Sequence, residues 1–260
     1  MLAVGIQSDI WVYDIGRGTL SRLTFDGASN FPLWSPDGKR IAFQSARERK
    51  GLNLFWKPAD GSGPEERLTT SEHNQLLHSW SPDGQVMAFG DIDPTTGYDL
   101  WVLPLAGDRK PRVFLRTPFN ERGVRFSPDG RWLAYVSDES GRYEIYVQPF
   151  PGPGGKWQIS TDGGNDPLWA PNGELFYVNG NRMMVVETKT QPTFSANTPK
   201  VLFEGRYERT GTGSTNYAVT TDGQRFVMVK IAGPEGAAPT QINVVLNWFE
   251  ELKKRVPSGQ

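Results

Sequence analysis

A short turn sequence recurs along the chain at nearly constant spacing, and this repeat restricts the possible folds more than any other feature. Three copies are clean, a fourth is altered and a fifth is faint. The copies are Trp34-Ser35-Pro36-Asp37-Gly38, Trp80-Ser81-Pro82-Asp83-Gly84, Phe126-Ser127-Pro128-Asp129-Gly130, Trp169-Ala170-Pro171-Asn172-Gly173 and Val219-Thr220-Thr221-Asp222-Gly223. Successive copies are 46, 46, 43 and 50 residues apart, so the chain consists of a repeated structural unit.

Each copy carries the residue types of a tight turn between two strands. Proline fixes φ, aspartate or asparagine accepts hydrogen bonds within the turn, and glycine tolerates positive φ. A short apolar run follows each turn, as in Ile41-Ala42-Phe43 and Trp132-Leu133-Ala134-Tyr135. Every copy therefore predicts a β-hairpin. The recurring Asp37, Asp83 and Asp129 are interpreted as structural turn residues rather than metal ligands.

Two further sequence patterns follow the hairpins and complete a four-stranded unit. The first has the form Asp9-Ile10-Trp11-Val12 and recurs at 53–56, 99–102 and 144–147. The second is a short Arg-Leu-Thr sequence at 22–24 and 67–69. Four strands in about 45 residues are typical of a propeller blade. The sequence therefore predicts an all-β protein, a β-propeller of four-stranded antiparallel blades.

The expected number of blades depends on the strands at the two ends. Four complete units extend from about Asn30 to Phe203. Leu2–Ile6 begins a set of three strands before them, and Ile242–Asn247 ends a set of three after them. We expect six blades, the first without its inner strand and the last without its outer strand; five blades with spare terminal strands is the alternative. The predicted domains are one propeller over residues 1–247 and a short helix and tail over 248–260.

Composition narrows the classes of partner and of chemistry. The formal net charge is −1, so no excess of positive charge favours nucleic acid or an anionic membrane surface. Cysteine is absent, which excludes disulfides, thiolate metal sites and cysteine nucleophiles. No apolar run approaches the length of a membrane span. We therefore expect no nucleic-acid partner and no membrane insertion by this chain.

Four features together resemble the TolB-like (WD40-like) propeller repeat. They are the recurring turn sequence, the apolar strand after it, the Asp-Ile-Trp-Val strand and the Arg-Leu-Thr sequence. That repeat also builds the propeller of dipeptidyl peptidase IV and its relatives. The resemblance covers Leu2 to Asn247, and it lacks the Gly-His and Trp-Asp signatures of ordinary WD repeats. The tail at 242–248 is similar to the end of C-terminal propellers in bacterial serine/threonine kinase-type proteins. These resemblances imply a periplasmic or extracytoplasmic location and a longer parent chain.

Few residues qualify for catalysis or metal binding. His73 and His78 are five residues apart and would lie on opposite faces of a continuous strand, which disfavours a zinc pair. The three aspartates of segment 91–99 are interpreted as part of a solvated turn rather than a cation site. Gly211–Thr215 is glycine-rich but lacks the spacing of a nucleophile elbow. We expect no catalytic residue, no metal and no cofactor.

Propeller topology predicts the face on which a binding site should lie. Two kinds of loop surround the channel mouth at one face: those that lead into inner strands and those that join second to third strands. The Ser-Pro-Asp-Gly turns lie at the opposite face. Binding residues are often carried by loops on a rigid scaffold. The candidate binding residues on the loop face are Asn30, His73, Glu121, Arg122, Asn165, Asp166, Arg206 and Tyr207.

Three functions are compatible with these observations. The regular repeat and the sparse catalytic residues favour a non-catalytic interaction or sensor domain that binds a protein or peptide partner. The resemblance to dipeptidyl peptidase IV relatives implies, as an alternative, a propeller that gates an attached serine peptidase or hydrolase. A polysaccharide lyase acting in the channel is the third, and it would need converging histidine, arginine and carboxylate groups around a metal. Because a fold does not define a function, the first function is an expectation that rests partly on analogy.

Overall fold

The computed structural model describes residues 2–6, 8–48, 50–209, 211, 213–231 and 243–245, with the backbone alone for 2–6 and 243–245. These residues form 23 strands and no helix, and within them no helix could cross a membrane. The predicted loop at 232–240 and the predicted helix and tail at 248–260 lie outside the described residues.

The strands form six antiparallel sheets that follow one another along the chain, here numbered I to VI. Sheet I contains β1 (Leu2–Ile6), β2 (Asp9–Asp14) and β3 (Thr19–Arg22). Sheet II contains β4 (Ser29–Trp34), β5 (Arg40–Ser45), β6 (Asn53–Pro58) and β7 (Glu66–Arg67). Sheet III contains β8 (Asn74–Trp80), β9 (Val86–Asp93), β10 (Gly97–Pro104) and β11 (Arg112–Leu115).

The second half of the chain continues the same order. Sheet IV contains β12 (Glu121–Phe126), β13 (Trp132–Ser137), β14 (Glu144–Pro149) and β15 (Trp157–Gln158). Sheet V contains β16 (Asn165–Trp169), β17 (Glu174–Asn179), β18 (Arg182–Lys189), β19 (Ser195–Ala196) and β20 (Lys200–Glu204). Sheet VI contains β21 (Tyr217–Val219), β22 (Phe226–Met228) and β23 (Asn243–Val245).

This topology confirms the predicted all-β propeller of antiparallel blades. Sheets II, III and IV pair their four strands in chain order, from an inner to an outer strand. Sheet V carries one additional two-residue strand, β19, which pairs with β18. Within the described residues, sheets I and VI each have three strands. The number of blades stays a prediction, because it requires sheets VI and I to meet.

The repeated turn is stabilised by bonds between its own side chains and backbone. The Ser81 hydroxyl donates to the Asp83 carboxylate at 2.5 Å and accepts from the Val86 N–H at 2.9 Å. The same carboxylate accepts from the Gln85 N–H at 3.0 Å. Gly84 closes the turn with a φ of 70°. The two other clean copies repeat these contacts, which explains why serine, aspartate and glycine recur together.

The Arg-Leu-Thr sequence has an equally local cause at the opposite end of each sheet. The Thr24 hydroxyl accepts from the Ile10 N–H at 2.9 Å and donates to the Asp9 carboxylate at 2.9 Å. Thr69 and Ser160 make the same backbone contact in sheets II and IV. The hydroxyl therefore satisfies a backbone donor at the start of the third strand, where the ladder cannot do so.

Apolar side chains are buried between successive sheets rather than within one sheet. Alternate residues of a strand point to opposite faces, so Ile41 and Phe43 pack towards sheet I whereas Ala42 packs towards sheet III. Five clusters follow from this alternation, and each joins one sheet to the next between sheets I and VI. The recurring tryptophans belong to these clusters, and the rings of Trp56 and Trp80 stack at 6.1 Å.

We expect Asp83→Ala to lower the free energy of unfolding by about 1 kcal/mol, because two hydrogen bonds of the turn lose their acceptor. The reciprocal change is Ala170→Ser, which restores the hydroxyl that the altered copy lacks and should raise the stability by a smaller amount. Chemical denaturation measures both. An Asp83→Ala variant with unchanged stability would contradict the structural role of this aspartate.

Candidate functional site

The inner strands of sheets II, III, IV and V share an irregularity near the channel mouth. The pairing of each with its second strand shifts register, for example between Arg122 and Arg125. In sheets II, IV and V the shift includes a residue with positive φ, namely Phe31 at 52°, Gly123 at 66° and Asp166 at 54°. Such bulges redirect side chains from their regular positions, so residues at this level leave the regular inward and outward alternation.

A sequence pattern accompanies two of these bulges. Asn30-Phe31-Pro32-Leu33-Trp34 and Asn165-Asp166-Pro167-Leu168-Trp169 share four of five residues. Both place the residue with positive φ directly before a proline. This Asn-x-Pro-Leu-Trp pattern is the sequence signal that could have predicted the bulges.

Arg122 connects three parts of the candidate face. Its guanidinium donates to the Asn165 side-chain oxygen at 3.0 Å and to the Gly211 carbonyl at 2.6 Å. It also lies over the Tyr143 ring, 3.9 Å from the ring centre. The structure therefore brings the predicted site residues Arg122 and Asn165 together, across sheets IV and V.

Arg125 lies deeper on the same inner strand and is only 9% exposed. Its guanidinium donates to the Thr215 hydroxyl at 2.6 and 3.2 Å. Thr215 also lies 3.4 Å from the Pro167 carbonyl. Burial lowers the pKa of Arg125 to about 10, so the side chain remains charged at neutral pH.

The chain before β21 is pressed against the inner strand of sheet IV. A side chain at Gly213 would place its Cβ 2.7 Å from the Gly123 nitrogen, and one at Gly123 would lie 3.0 Å from the Gly213 carbonyl. Real Cβ atoms do not make the first of these contacts. Only two glycines allow this approach, which explains the glycine-rich character of 211–215 better than catalysis does.

His78 is completely buried beside these arginines. The Gly123 N–H donates to its Nε2 at 3.3 Å, and its Nδ1 is buried without a hydrogen-bond partner among the described residues. Burial lowers the pKa of His78 well below its usual value, and the charges of Arg125 and Arg122 lower it further. The ring is therefore neutral at neutral pH, with an unprotonated Nε2.

Asp166 and Tyr207 line a pocket between sheets V and VI. The pocket is small, and Asn216 and Tyr217 also line it. Burial raises the pKa of Asp166, against the opposing charges of Arg125, Arg209 and Arg122. Sequence reasoning grouped Asp166 and Tyr207 on one face, and the structure places both at this pocket.

The remaining predicted site residues lie apart from this group. His73 contacts the Asp91 carboxylate through Nδ1 at 2.7 Å, and Asn30 has a buried side-chain oxygen without a partner among the described residues. Arg206 is exposed, and its carbonyl accepts from the Ile231 N–H at 3.1 Å. The structure does not join these three residues into one site.

Glu121 was predicted as a binding residue of the loop face, but the structure buries it. The residue is 0% exposed at the start of β12, where its carboxyl contacts the Thr117 hydroxyl. Burial raises the pKa of Glu121 to about 7, with contributions from the charges of Asp99 and Glu139. Asp166 is likewise buried, at 5% exposure, so neither carboxylate supplies an exposed charge.

Only one of the three aspartates of segment 91–99 lies at the solvated turn that the sequence suggested: the Asp93 carboxylate accepts from the Thr95 N–H at 2.8 Å. Asp91 and Asp99 lie directly opposite each other in the β9–β10 ladder, and both are buried. Arg116 donates to the Asp99 carboxylate at 2.8 Å. The strands extend further than expected because partly exposed side chains, Arg116 for Asp99 and His73 for Asp91, pair with the two buried carboxylates. No group of three or more histidine or acidic residues suited to a metal ion occurs in the described part of the chain.

Sequence reasoning missed the exposed aromatic residues of the loop face. Phe25 is 69%, Phe31 36% and Phe119 41% exposed. Phe25 and Phe119 lie in loops that lead into the inner strands β4 and β12, and Phe31 lies near the start of β4. They are the only exposed phenylalanines among the residues whose side chains are described, and all three lie on one face.

Comparison with known proteins supports the fold. No family model matches the chain, and no curated protein does. A TolB-type protein from Agrobacterium tumefaciens is similar, with 18% identity, a TM-score of 0.68 and coverage of 84% of this chain and 80% of that chain. TolB from Acinetobacter baumannii has 18% identity and a TM-score of 0.67, covering 86% of this chain and 54% of that chain.

A third similar structure is an enzyme. It is a prolyl endopeptidase with 14% identity and a TM-score of 0.57, covering 87% of this chain but only 36% of that chain. The chain thus spans about half the length of the Acinetobacter TolB and about a third of the endopeptidase. At these identities the likeness concerns the fold, and this chain has the fold of a TolB-like β-propeller.

We expect Glu121→Gln to stabilise the protein above pH 7 and to have no effect below about pH 4.5. The folded state holds the Glu121 proton up to a pKa of about 7, whereas the unfolded chain releases it near 4.5. Wild-type stability therefore falls as pH rises through this interval. The variant should gain about 3 kcal/mol at pH 8.

Denaturation curves of the two proteins at a series of pH values measure this difference. The matched control is Glu204→Gln, which removes a carboxylate that is mostly exposed and should give a difference close to zero at every pH. A constant difference between wild type and Glu121→Gln across the pH range would contradict the raised pKa.

Proposed function

We propose that this chain is a non-catalytic β-propeller domain that binds a protein or peptide partner through the loop face at the channel mouth. The observation that supports it most strongly is the common placement of Phe25, Phe31 and Phe119 on that face. Aromatic side chains are enriched at protein interfaces, and they supply much of the binding energy when a partner buries them. Exposed polar groups in the surrounding loops would form the rim.

The backbone of Phe31 strengthens this proposal. A bulky residue at a φ of 52° is strained, by about 1–2 kcal/mol relative to the right-handed region. The corresponding residue of sheet IV is Gly123, which adopts this conformation without strain. A partly exposed phenylalanine is thus held where glycine would serve the fold. Strain of this kind is concentrated at functional sites, which favours a binding role for the Phe31 side chain.

The ionisable groups near the channel support the non-catalytic part of the proposal. His73 pairs with Asp91, and His78 accepts a backbone hydrogen bond with its only unprotonated nitrogen. A nucleophile requires an adjacent base with a free acceptor. The contact with Asp91 holds Nδ1 of His73 and leaves its Nε2 as an acceptor, but no described hydroxyl donates a hydrogen bond to that nitrogen. His78 is buried and its acceptor nitrogen is already used. Because neither histidine is paired with a nucleophile among the described residues, we infer that the loop face binds rather than reacts.

Phe31→Gly should weaken peptide binding at least tenfold, or about 1.4 kcal/mol, with little effect on stability. Relief of strain offsets the lost burial of a side chain that is 64% covered, worth about 1–2 kcal/mol. The free energy of unfolding should therefore change by less than about 1 kcal/mol. The probes are peptides selected from a random library on the immobilised wild-type chain, and fluorescence anisotropy measures their affinities.

The control for this experiment is Val201→Ala. Val201 is 47% exposed on the outer strand of sheet V, away from the loop face, and its truncation should leave the affinities unchanged. Phe25→Ala and Phe119→Ala extend the comparison to the other two aromatic residues. Peptides that bind all three phenylalanine variants as tightly as the wild type would refute the proposed surface.

We also expect the purified chain to show no turnover of peptide, ester or oligogalacturonate substrates, with or without divalent metal ions. The reason is that neither His73 nor His78 is hydrogen-bonded to a nucleophilic side chain among the described residues. Chromogenic and reducing-sugar assays measure this directly. Turnover that disappears in a His73→Ala or His78→Ala variant would establish an enzyme instead.

A further inference from the structure

We propose that a cleft between the turns of sheets IV and V binds a neutral saccharide of one or two rings. The cleft lies on the turn face, which is the end of the sheets that carries the repeated turns, opposite the loop face. It has a volume of about 450 Å³. Because it is separate from the aromatic surface of the loop face, it represents a second function. Its lining residues are Pro128, Asp129, Pro171, Asn172, Gly173 and 188–191.

The cleft interrupts a regular contact between successive turns. A Cβ on Gly130 would lie 3.4 Å from Cδ of Pro82 in the turn before it, and Gly84 approaches the proline of its preceding turn to 3.9 Å in the same way. The corresponding pair in sheets IV and V is Pro128 and Gly173. A Cβ on Gly173 would meet no atom of Pro128 within 4 Å. Both residues line the cleft instead, so these two turns are separated where the others touch.

A second departure from the repeat supplies the outer wall of the cleft. The third strands of sheets II, III and IV end at a proline that pairs with the first residue of the second strand. β18 has Glu187 at this position, opposite Glu174, and continues to Lys189, where it pairs with β19. Because proline lacks the N–H that extends a ladder, a different residue at this point allows 188–191 to stand beside the cleft. The three prolines are Pro58, Pro104 and Pro149.

Hydrogen bonds and aromatic packing hold this wall in place. The Trp132 Nε1–H donates to the Thr190 carbonyl at 3.1 Å, and the Thr188 hydroxyl donates to the Gly173 carbonyl at 2.5 Å. Phe194 follows the wall, is 4% exposed, and packs against the Trp132 ring with 5.1 Å between the ring centres. A site held by such fixed elements loses little conformational entropy when a ligand binds.

The side chains around the cleft combine donors with acceptors and have no net charge. Lys189 is a donor, Asp129 is an acceptor, and the amides of Asn172 and Gln191 are both. Neither Lys189 nor Gln191 forms a side-chain hydrogen bond or ion pair with another described residue. The Asp129 carboxylate accepts two hydrogen bonds within its turn and interacts with Thr190. A carboxylate can accept about four hydrogen bonds, so Asp129 can also serve a ligand.

These features fit hydroxyl groups better than ions. A hydroxyl both donates and accepts, so one sugar can satisfy the donor Lys189 and the acceptor Asp129 together. A phosphate would be repelled by Asp129, and a polyamine would be repelled by Lys189. Pro128 and Pro171 add apolar surface, against which the C–H groups of a sugar ring can pack. The volume of the cleft is in the range typical of small-molecule sites.

Saturation-transfer NMR on the purified chain tests this site. The sugar probes are glucose, galactose, mannose, maltose, cellobiose and lactose, each titrated at constant ionic strength. Glycine, sodium phosphate and spermidine are the ionic probes. We expect at least one of these sugars to bind with a Kd on the order of 1 mM, because much of the lining is exposed. Each ionic probe should bind about tenfold more weakly, or less tightly still.

Two variants remove side chains of the wall without changing either turn. Lys189→Ala should weaken the binding of that sugar about tenfold, because a charged donor is lost, and Gln191→Ala about fivefold. Lys110→Ala and Gln85→Ala are the matched controls. Lys110 lies before the outer strand of sheet III, and Gln85 lies in the repeated turn of the same sheet. All four side chains are exposed, so the variants should fold, and both controls should bind the sugar as the wild type does.

Three results would overturn the proposal. The first is that none of the sugars gives a saturable signal with the wild-type chain. The second is a sugar whose affinity is unchanged when Lys189→Ala and Gln191→Ala are combined, since it would bind elsewhere. The third is an ionic probe that binds as tightly as the best sugar. Peptide affinities at the loop face should be unchanged in Lys189→Ala, so failure of one proposal is distinguishable from failure of the other.

Discussion

A four-stranded sheet with apolar residues on both faces can bury both faces only if it packs between two neighbouring sheets. The rest of the structure depends on this constraint. The alternation of Ile41, Ala42 and Phe43 between two different clusters shows this directly. Each sheet must therefore stand face to face with the next. The inner strands then converge on the channel, and the two kinds of connection separate to opposite ends of the sheets. The position of every candidate binding residue follows from this arrangement.

Local hydrogen bonds satisfy backbone groups at both ends of the sheets, where strands end and turns begin. At one end the Ser81–Asp83 pair satisfies the backbone of the turn, and at the other the Thr24 hydroxyl satisfies the first donor of the third strand. These contacts close within a few residues or within one sheet, so the same residue types recur in successive units. The channel is different, because Arg122 and Arg125 of sheet IV contact chain segments from sheets V and VI. Its chemistry is therefore particular to this protein rather than to the repeat.

The sequence predicted part of the candidate site. It placed Arg122, Asn165 and Asp166 near the starts of inner strands, where the structure has them, because the repeat defines where those strands begin. It did not predict that Glu121 would be buried, since burial depends on the packing of the loop before β12 against sheets III and IV. It also interpreted segment 91–99 as solvated, because closely spaced aspartates are typical of an exposed turn. The sequence does not show that a distant side chain such as Arg116 pairs with one of them. The strained Phe31 had a sequence signal, the Asn-x-Pro-Leu-Trp pattern, but its exposure had none.

The amino-acid sequence by itself determined the repeat, the hairpin turns, the strand order within each sheet and the division into a loop face and a turn face. These features depend on interactions between residues close in the chain, and the residue types alone specify them. Only the tertiary structure decided which charges are buried, which aromatic residues are exposed, and that Gly211 and Thr215 cover the two channel arginines. Those contacts join residues about 90 positions apart. Their geometry depends on how the sheets pack, and no local pattern in the sequence records that packing.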